Sequence, residues 1–231
     1  MVVLLHLANN QTRTLPKSRI ESLSDLIFGL ALSIGAINLV SNVSNITTKG
    51  MLLNDIAVFG FSFLILISVW MRYTRTMTFF PFENRLSVSL NTALLFTVSL
   101  EPFLFNVLEM NRMLAEDFES QVYAIDLGIM MIILASFTLV LADEDRKLIP
   151  ADMIREAKAE SITMFVAGGL FLISLLEIFW VRGPYGFYLR YYLWMIPFVL
   201  AAVRRRTSSI MNFTRKSKQQ KKSVDDLPQK E

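Results

Sequence analysis

Arg19, Ser22, Ser24 and Asp25 crowd the start of an apolar run that continues through Leu30, Ile34 and Ile37 to Asn38. An ionised Asp and an Arg within two helical turns of each other are costly near hydrocarbon unless they are paired. The run therefore predicts a helix that faces protein or a pore, not lipid alone. Two of the polar residues have a simple structural use: Ser24 and Asp25 can satisfy free backbone N–H groups near a helix start and oppose its positive end. That use leaves Arg19 without an explanation.

On a helix, side chains three and four apart share a face. Leu30, Ile34 and Ile37 then form one aliphatic stripe, with Ser33 and Ser41 beside it and Asn38 near its far end. Gly29 and Ala36 make a small face that lets another helix approach closely. Leu30 and Ile37 are separated by about 10 Å along the axis. Such a stripe can serve ordinary bundle packing. Where several copies surround an axis, it can instead form successive apolar rings, which gate by dewetting.

Other residues that could do chemistry are scattered. Asp55, Glu101, Asp126, Glu177 and Arg190 lie in or near apolar segments, where ionisable groups mark either structural ion pairs or an ion path. Glu101 is the most unusual, because Pro102 beside it loosens the helix while the carboxylate needs a partner. The Asp143-Glu144-Asp145 run is followed by Arg146-Lys147, which predicts a solvated, self-compensating loop. Trp70, Tyr73, Trp180, Tyr185 and Tyr188 sit near segment ends as interface anchors would.

The chain has no Cys and a single His, His6, so thiolate chemistry, disulfides and His-based metal sites or proton relays are excluded. No nucleophile elbow, phosphate loop or paired metal-carboxylate motif occurs, and the sequence gives no reason to expect an enzyme or a bound cofactor. Hydrophobic residues make up 53% of the chain against 19% charged, and mean hydropathy is +0.46, values that place it in the membrane class.

Six segments are apolar over roughly the 20 residues that a bilayer crossing requires. They fall near 24–44, 52–71, 86–108, 121–142, 161–181 and 186–203. The sequence pI of about 9.2 does not point to nucleic acid, because the basic residues collect in alternate connections. Arg13, Lys17 and Arg19 precede the first segment; Arg72, Arg75 and Arg85 follow the second; Arg146, Lys147, Arg155 and Lys158 follow the fourth; a basic tail begins at Arg204. The other side holds only Lys49, Arg112, Arg182 and Arg190. The positive-inside bias thus predicts an all-α, multi-pass membrane protein with both termini in the cytoplasm.

The expected organisation is a cytoplasmic arm at 1–18, a six-helix membrane domain at 19–203, and a basic, disordered tail at 204–231 near the anionic inner leaflet. Met1 to Ala8 is too short for a signal peptide. Sequons at Asn42 and Asn45 lie close to the membrane, where modification is not expected.

Arg19-x-x-x-Leu23-Ser24-Asp25 resembles the Arg-x-x-x-Phe-Ser-Asp signature of the endolysosomal potassium channel and its bacterial and archaeal homologues. Bacterial members typically follow it with Gly-Val-Phe-Ala-Ile-Ala-Ile-Thr; here Phe28 and Ala31 match, Leu30 stands for the Ile and Ser33 for the Thr. The stretch Ala93 to Phe103, ending Glu101-Pro102-Phe103, is similar to the family's Leu-rich run ending in Pro-Phe. Leu23 replaces the signature Phe, and Leu26 replaces a usual Gly.

The resemblance, spanning roughly 19–203, implies a homotetramer in which the first helix of each subunit lines the ion path. It implies a potassium-permeable cation channel with Leu30 at the narrowest ring, Ile34 and Ile37 forming later rings, and Ser33 where a hydroxyl contributes to cation selectivity. Arg19, Ser24 and Asp25 become a structural latch that holds the pore helix. No Thr-Val-Gly-Tyr-Gly carbonyl filter is present, so selectivity must arise differently. The expected partners are the lipid bilayer of the cell membrane, further copies of the chain, and permeant monovalent cations, K+ above all. The contrasting expectation is a proton- or ion-coupled secondary transporter built on the outer-half carboxylates; the two halves show no repeat that would favour it.

Overall fold

The computed structural model describes residues 17–41, 48–81, 85–110, 118–181, 188–197 and 199, and these fold as an all-helical bundle. Five long helices follow one another: α1 Lys17–Ser41, α2 Lys49–Phe79, α3 Arg85–Met110, α4 Phe118–Leu141 and α5 Ala151–Ile173. A short 3-10 helix at Glu177–Trp180 and a helical stretch at 189–197 complete the described chain. The sequons at Asn42 and Asn45, the arm before Lys17 and the basic tail from Arg204 lie outside the described residues.

Side-chain contacts fix the directions of the helices. Ser24 of α1 meets Tyr73 of α2 at one level, and Ser62 of α2 meets Glu101 of α3 at the other. Tyr123 of α4 also reaches Glu101, whereas Thr138 near its other end meets Thr76 of α2. Consecutive helices therefore run antiparallel, as short connections require. α4 packs against α2, α3 and α5 and forms the middle of the bundle, while α1 rests chiefly on α2 and α3. The most apolar stretch of α4 is 67% buried and that of α1 only 22%, so α1 is a peripheral helix with most of its hydrocarbon uncovered.

The seam between α4 and α5 depends on two glycines. A Cβ on Gly168 would lie 2.9 Å from Ile132 Cγ1 and 3.0 Å from the Gly128 carbonyl; one on Gly128 would lie 2.9 Å from Leu172 Cδ2. Small residues at such a crossing let the backbones close and the flanking side chains interdigitate. Met130, Leu134 and Phe137 of α4 and Met164 and Phe171 of α5 are buried in the core around this seam.

Helices α1 to α4 are long and apolar enough to cross a membrane. α5 departs from the expected 161–181 segment, beginning ten residues earlier and ending at Ile173. Ala151 to Glu160 is rich in Ala, Glu, Lys and Arg, strong helix formers that hydropathy alone disregards. At its far end the helix gives way to turns and then to the 3-10 helix. α2 extends beyond 71 to Phe79 and stops ahead of Pro81, consistent with the extended backbone that a proline imposes on its predecessor.

The glycine seam gives opposite signs for two adjacent positions. Gly168→Ala destabilises by about 1–3 kcal/mol through overpacking. Gly169→Ala, whose Cβ meets nothing within 4 Å, stabilises by at most about 1 kcal/mol. Thermal unfolding of the detergent-solubilised variants, followed by tryptophan fluorescence, measures both, and equal shifts would contradict the close approach.

Candidate functional site

α1 has two unlike sides. Ile20, Ser24, Phe28 and Ala31 are buried against α2 and α3 at helical spacing. The opposite side carries Leu23 (55% exposed), Leu26 (67%), Leu30 (55%) and Ile37 (64%), a continuous aliphatic row uncovered within the subunit. Leu23, Leu30 and Ile37 follow at intervals of seven residues, and each step of seven turns the side chain by only about 20°. Ser33 is exposed beside this row, its hydroxyl donating to the Gly29 carbonyl at 2.8 Å. Ile34, expected as a full member, is half-buried at the row's edge.

The orientation of the helix is set from behind. Ser24 donates to the Ile20 carbonyl of its own helix (2.8 Å), which leaves its oxygen free to accept. The Tyr73 hydroxyl of α2 lies 2.7 Å from Ser24 Oγ and 2.8 Å from Asn91 Oδ1 of α3, so it can donate to either and brings three helices to one buried point. Phe28 packs on the same tyrosine with ring centroids 5.5 Å apart, adding an apolar contact one turn further along. Next to this point Trp70 Nε1 donates to Asp25 Oδ1 at 3.0 Å. Ser24 and Asp25 thus bind α1 to α2 through side chains, which is a different use from helix capping: α1 begins about two turns earlier, at Lys17.

Arg19 is placed apart from both. It is exposed, and its position lies within about 20° of Leu30 around the helix. It therefore stands at the N-terminal end of the aliphatic row, beyond Leu23, and makes no bond to Ser24 or Asp25 among the described residues. Lys17 at the same end donates to the Thr78 carbonyl at 3.0 Å, tying the first turn of α1 to the end of α2.

Of the carboxylates singled out in the sequence, Glu101 and Asp126 are buried, Asp55 is half-buried and Glu177 is exposed on the 3-10 helix. Ser62 donates to Glu101 Oε1 at 2.9 Å and Tyr123 donates to the same oxygen at 3.1 Å. Arg190 is buried among aromatic faces, its guanidinium carbon 5.0 Å from the ring centre of Tyr188 and 5.5 Å from that of Trp180. In the connection before α5, Asp143 pairs with Arg146 within the loop, whereas Glu144 pairs with Lys158 of α5, so the loop compensates its own charge only in part.

Two functional side chains escape a sequence reading. Tyr73 has the position of an interface anchor, yet it is a fully buried hydrogen-bond hub; Asn91 gives no sign of its role. A signal does exist for Tyr73: Trp70 and Tyr73 are three residues apart and so share a face, and that face carries polar atoms toward α1.

Residues 19–102 match the sequence model of the family described as the endosomal/lysosomal potassium channel TMEM175, a stretch that begins at Arg19 and ends at Pro102. The fold is similar to that of a crystal structure of the potassium channel MtTMEM175, solved as a Thr-to-Ala variant in complex with a nanobody–MBP fusion protein. The TM-score is 0.53 at 17% identity, over 85% of this chain and 95% of that one. No curated protein matches the chain.

The hub gives a prediction about stability. Tyr73→Phe leaves buried polar groups on Ser24 and Asn91 without their shared hydroxyl and costs about 1–3 kcal/mol. Combined with Ser24→Ala, the loss falls short of the sum by about 1 kcal/mol. A double-mutant cycle on denaturant unfolding measures this, and additive losses would contradict a shared hydrogen-bond point.

Proposed function

From its homology to the TMEM175 potassium channels, an ion-channel family and not an enzyme family, we propose that this membrane protein forms a potassium-permeable cation channel whose pore is lined by α1. The observation that carries the proposal is the aliphatic row of Leu23, Leu26, Leu30 and Ile37, uncovered on one subunit while the rest of the helix is fastened behind it. Lipid covers many apolar faces of a membrane protein; this one also carries the exposed Arg19 at its end and the Ser33 hydroxyl beside it, polar groups that hydrocarbon does not favour. One subunit cannot enclose an axis with a single helix face, and rotational symmetry supplies the other walls. A homotetramer in the cell membrane, with six spans per subunit and both termini cytoplasmic, accommodates the charge distribution and the antiparallel order of the helices.

In this assembly Leu30 forms the narrowest ring, with Ile37 beyond it and Ile34 supporting the ring from its half-buried position. Water leaves a narrow aliphatic ring readily, so the ring resists ions until it widens. Ser33 presents a hydroxyl between the rings, able to turn its oxygen toward a partly dehydrated cation. Ser24 and Asp25 hold each helix at its angle through Tyr73 and Trp70. Arg19, at the inner end of the same face, is positioned to bond between copies. K+ is the transported ion, and the mechanism calls for no cofactor.

Replacing a ring of hydrocarbon by amides removes the dewetting barrier. Leu30→Asn raises potassium flux from liposomes about tenfold, equivalent to a barrier lower by ~1.4 kcal/mol. Ser33→Ala leaves flux present but brings the potassium and sodium permeabilities closer, as read from bi-ionic reversal potentials. Unaltered conductance in Leu30→Asn would remove Leu30 from the gate, and an impermeable wild-type protein would contradict the channel itself.

A further inference from the structure

The outer half of α1 is held by a second set of contacts that neither the aliphatic row nor the Tyr73 hub explains. Asn38 Nδ2 donates to the Pro102 carbonyl of α3 at 3.4 Å. Three residues earlier on α1, a Cβ on Gly35 would lie 3.4 Å from the Phe59 ring of α2, so the helix rests directly on that ring. Gly35, Asn38 and Leu39 also line a small cleft of about 10 Å³ together with Phe59, Ser62 and Pro102. Gly35, Asn38 and Leu39 are half-buried whereas Phe28 and Ala31 are 1% exposed, so α1 is less enclosed at this level.

The acceptor in that contact sits at a mechanically weak place. Pro102 lies inside α3 and has no N–H to donate to the preceding turn, a loss that loosens a helix. Glu101 compensates for it. Its carboxylate is fully buried and takes hydrogen bonds from Ser62 of α2 and Tyr123 of α4, on either side of α3. Trp194, from the last helical stretch, packs its ring 5.5 Å from that of Tyr123 and closes the cluster from behind. The carbonyl that receives Asn38 is thereby fixed relative to three neighbouring elements.

We propose that Glu101 and Asn38 are positioning residues for ion selection: Glu101 pins the proline-weakened turn of α3, and Asn38 transfers that position to α1 next to Ile37. The proposal rests on α1 lining the pore. Asn38 adjoins Ile37 in sequence and points toward α3 while Ile37 points away from the subunit. A lateral shift at Asn38 is therefore a change in the radius of the Ile37 ring. Selectivity depends steeply on such a radius, because it sets how much hydration a cation must shed.

The test uses the full chain, purified and reconstituted, with Asn38→Leu, Glu101→Gln and Glu101→Leu beside the wild type. Bi-ionic reversal potentials for potassium against sodium are recorded along with the thermal unfolding temperature of each protein. Asn38→Leu lowers the permeability ratio about three- to tenfold, the effect of one lost hydrogen bond, while its unfolding temperature stays within the wild-type spread. Glu101→Gln, whose amide oxygen still accepts from Ser62 and Tyr123, retains most of the ratio, and Glu101→Leu loses it. A wild-type ratio in Asn38→Leu would overturn the proposal, as would equal loss in Glu101→Gln and Glu101→Leu. If Glu101→Leu does not fold, Asn38→Leu and Glu101→Gln decide alone. A wild-type protein that passes no ions would instead refute the channel reading, so the two failures are distinguishable.

Discussion

The position of a single buried hydroxyl, that of Tyr73, fixes the rotation of α1, and much else depends on that rotation. A helix advances by about 100° per residue, so turning α1 by one residue would carry Ser24 away from Tyr73 and Leu30 toward the side of the bundle. Apolar packing alone resists such a turn weakly, since hydrocarbon is exchanged for hydrocarbon. A buried hydroxyl with two partners resists it strongly, because a polar group left unmet away from water costs far more than a mispacked methyl. The bonded group is thus the device that determines which residues of α1 face outward.

The remaining subunit serves as a rigid support for that helix. α4 is enclosed by α2, α3 and α5, and the Gly128–Gly168 crossing draws α4 and α5 together closely enough to leave little freedom. α1 lies at the other extreme, fastened near its inner end through Ser24 and Asp25 and near its outer end through Asn38. Between those two levels its contacts are chiefly Phe28 and Ala31 against the core. Hydrogen bonds near both ends and close apolar packing between them keep the orientation of α1 fixed.

Much of α1 was legible in the chain because its two sides follow the helical period and its polar cluster stands at one end. Leu30, Ile37 and Ser33 are exposed on one face as their spacing predicts, while Ile34 rotates just far enough to be half-buried. What the sequence hides is which residues Ser24 and Asp25 bond to. Tyr73 and Asn91 are separated from Ser24 by long stretches of chain, and a tyrosine near the end of an apolar segment has the same composition whether it meets headgroups or a buried serine. Hydropathy also misplaces α5, since half of its first ten residues are charged and the stretch is nevertheless strongly helical. Pairing between copies of the chain leaves no mark that one sequence can display.

The central claim is that Leu30 faces a water-accessible ion path. The natural chain contains no cysteine, so Leu30→Cys introduces a single thiol, and potassium flux can be recorded before and after a charged, membrane-impermeant thiol reagent is added. Rapid modification that blocks most of the flux is the predicted result. A thiol that the reagent does not reach, or one that it labels without altering flux, would place Leu30 away from the ion path and contradict the account.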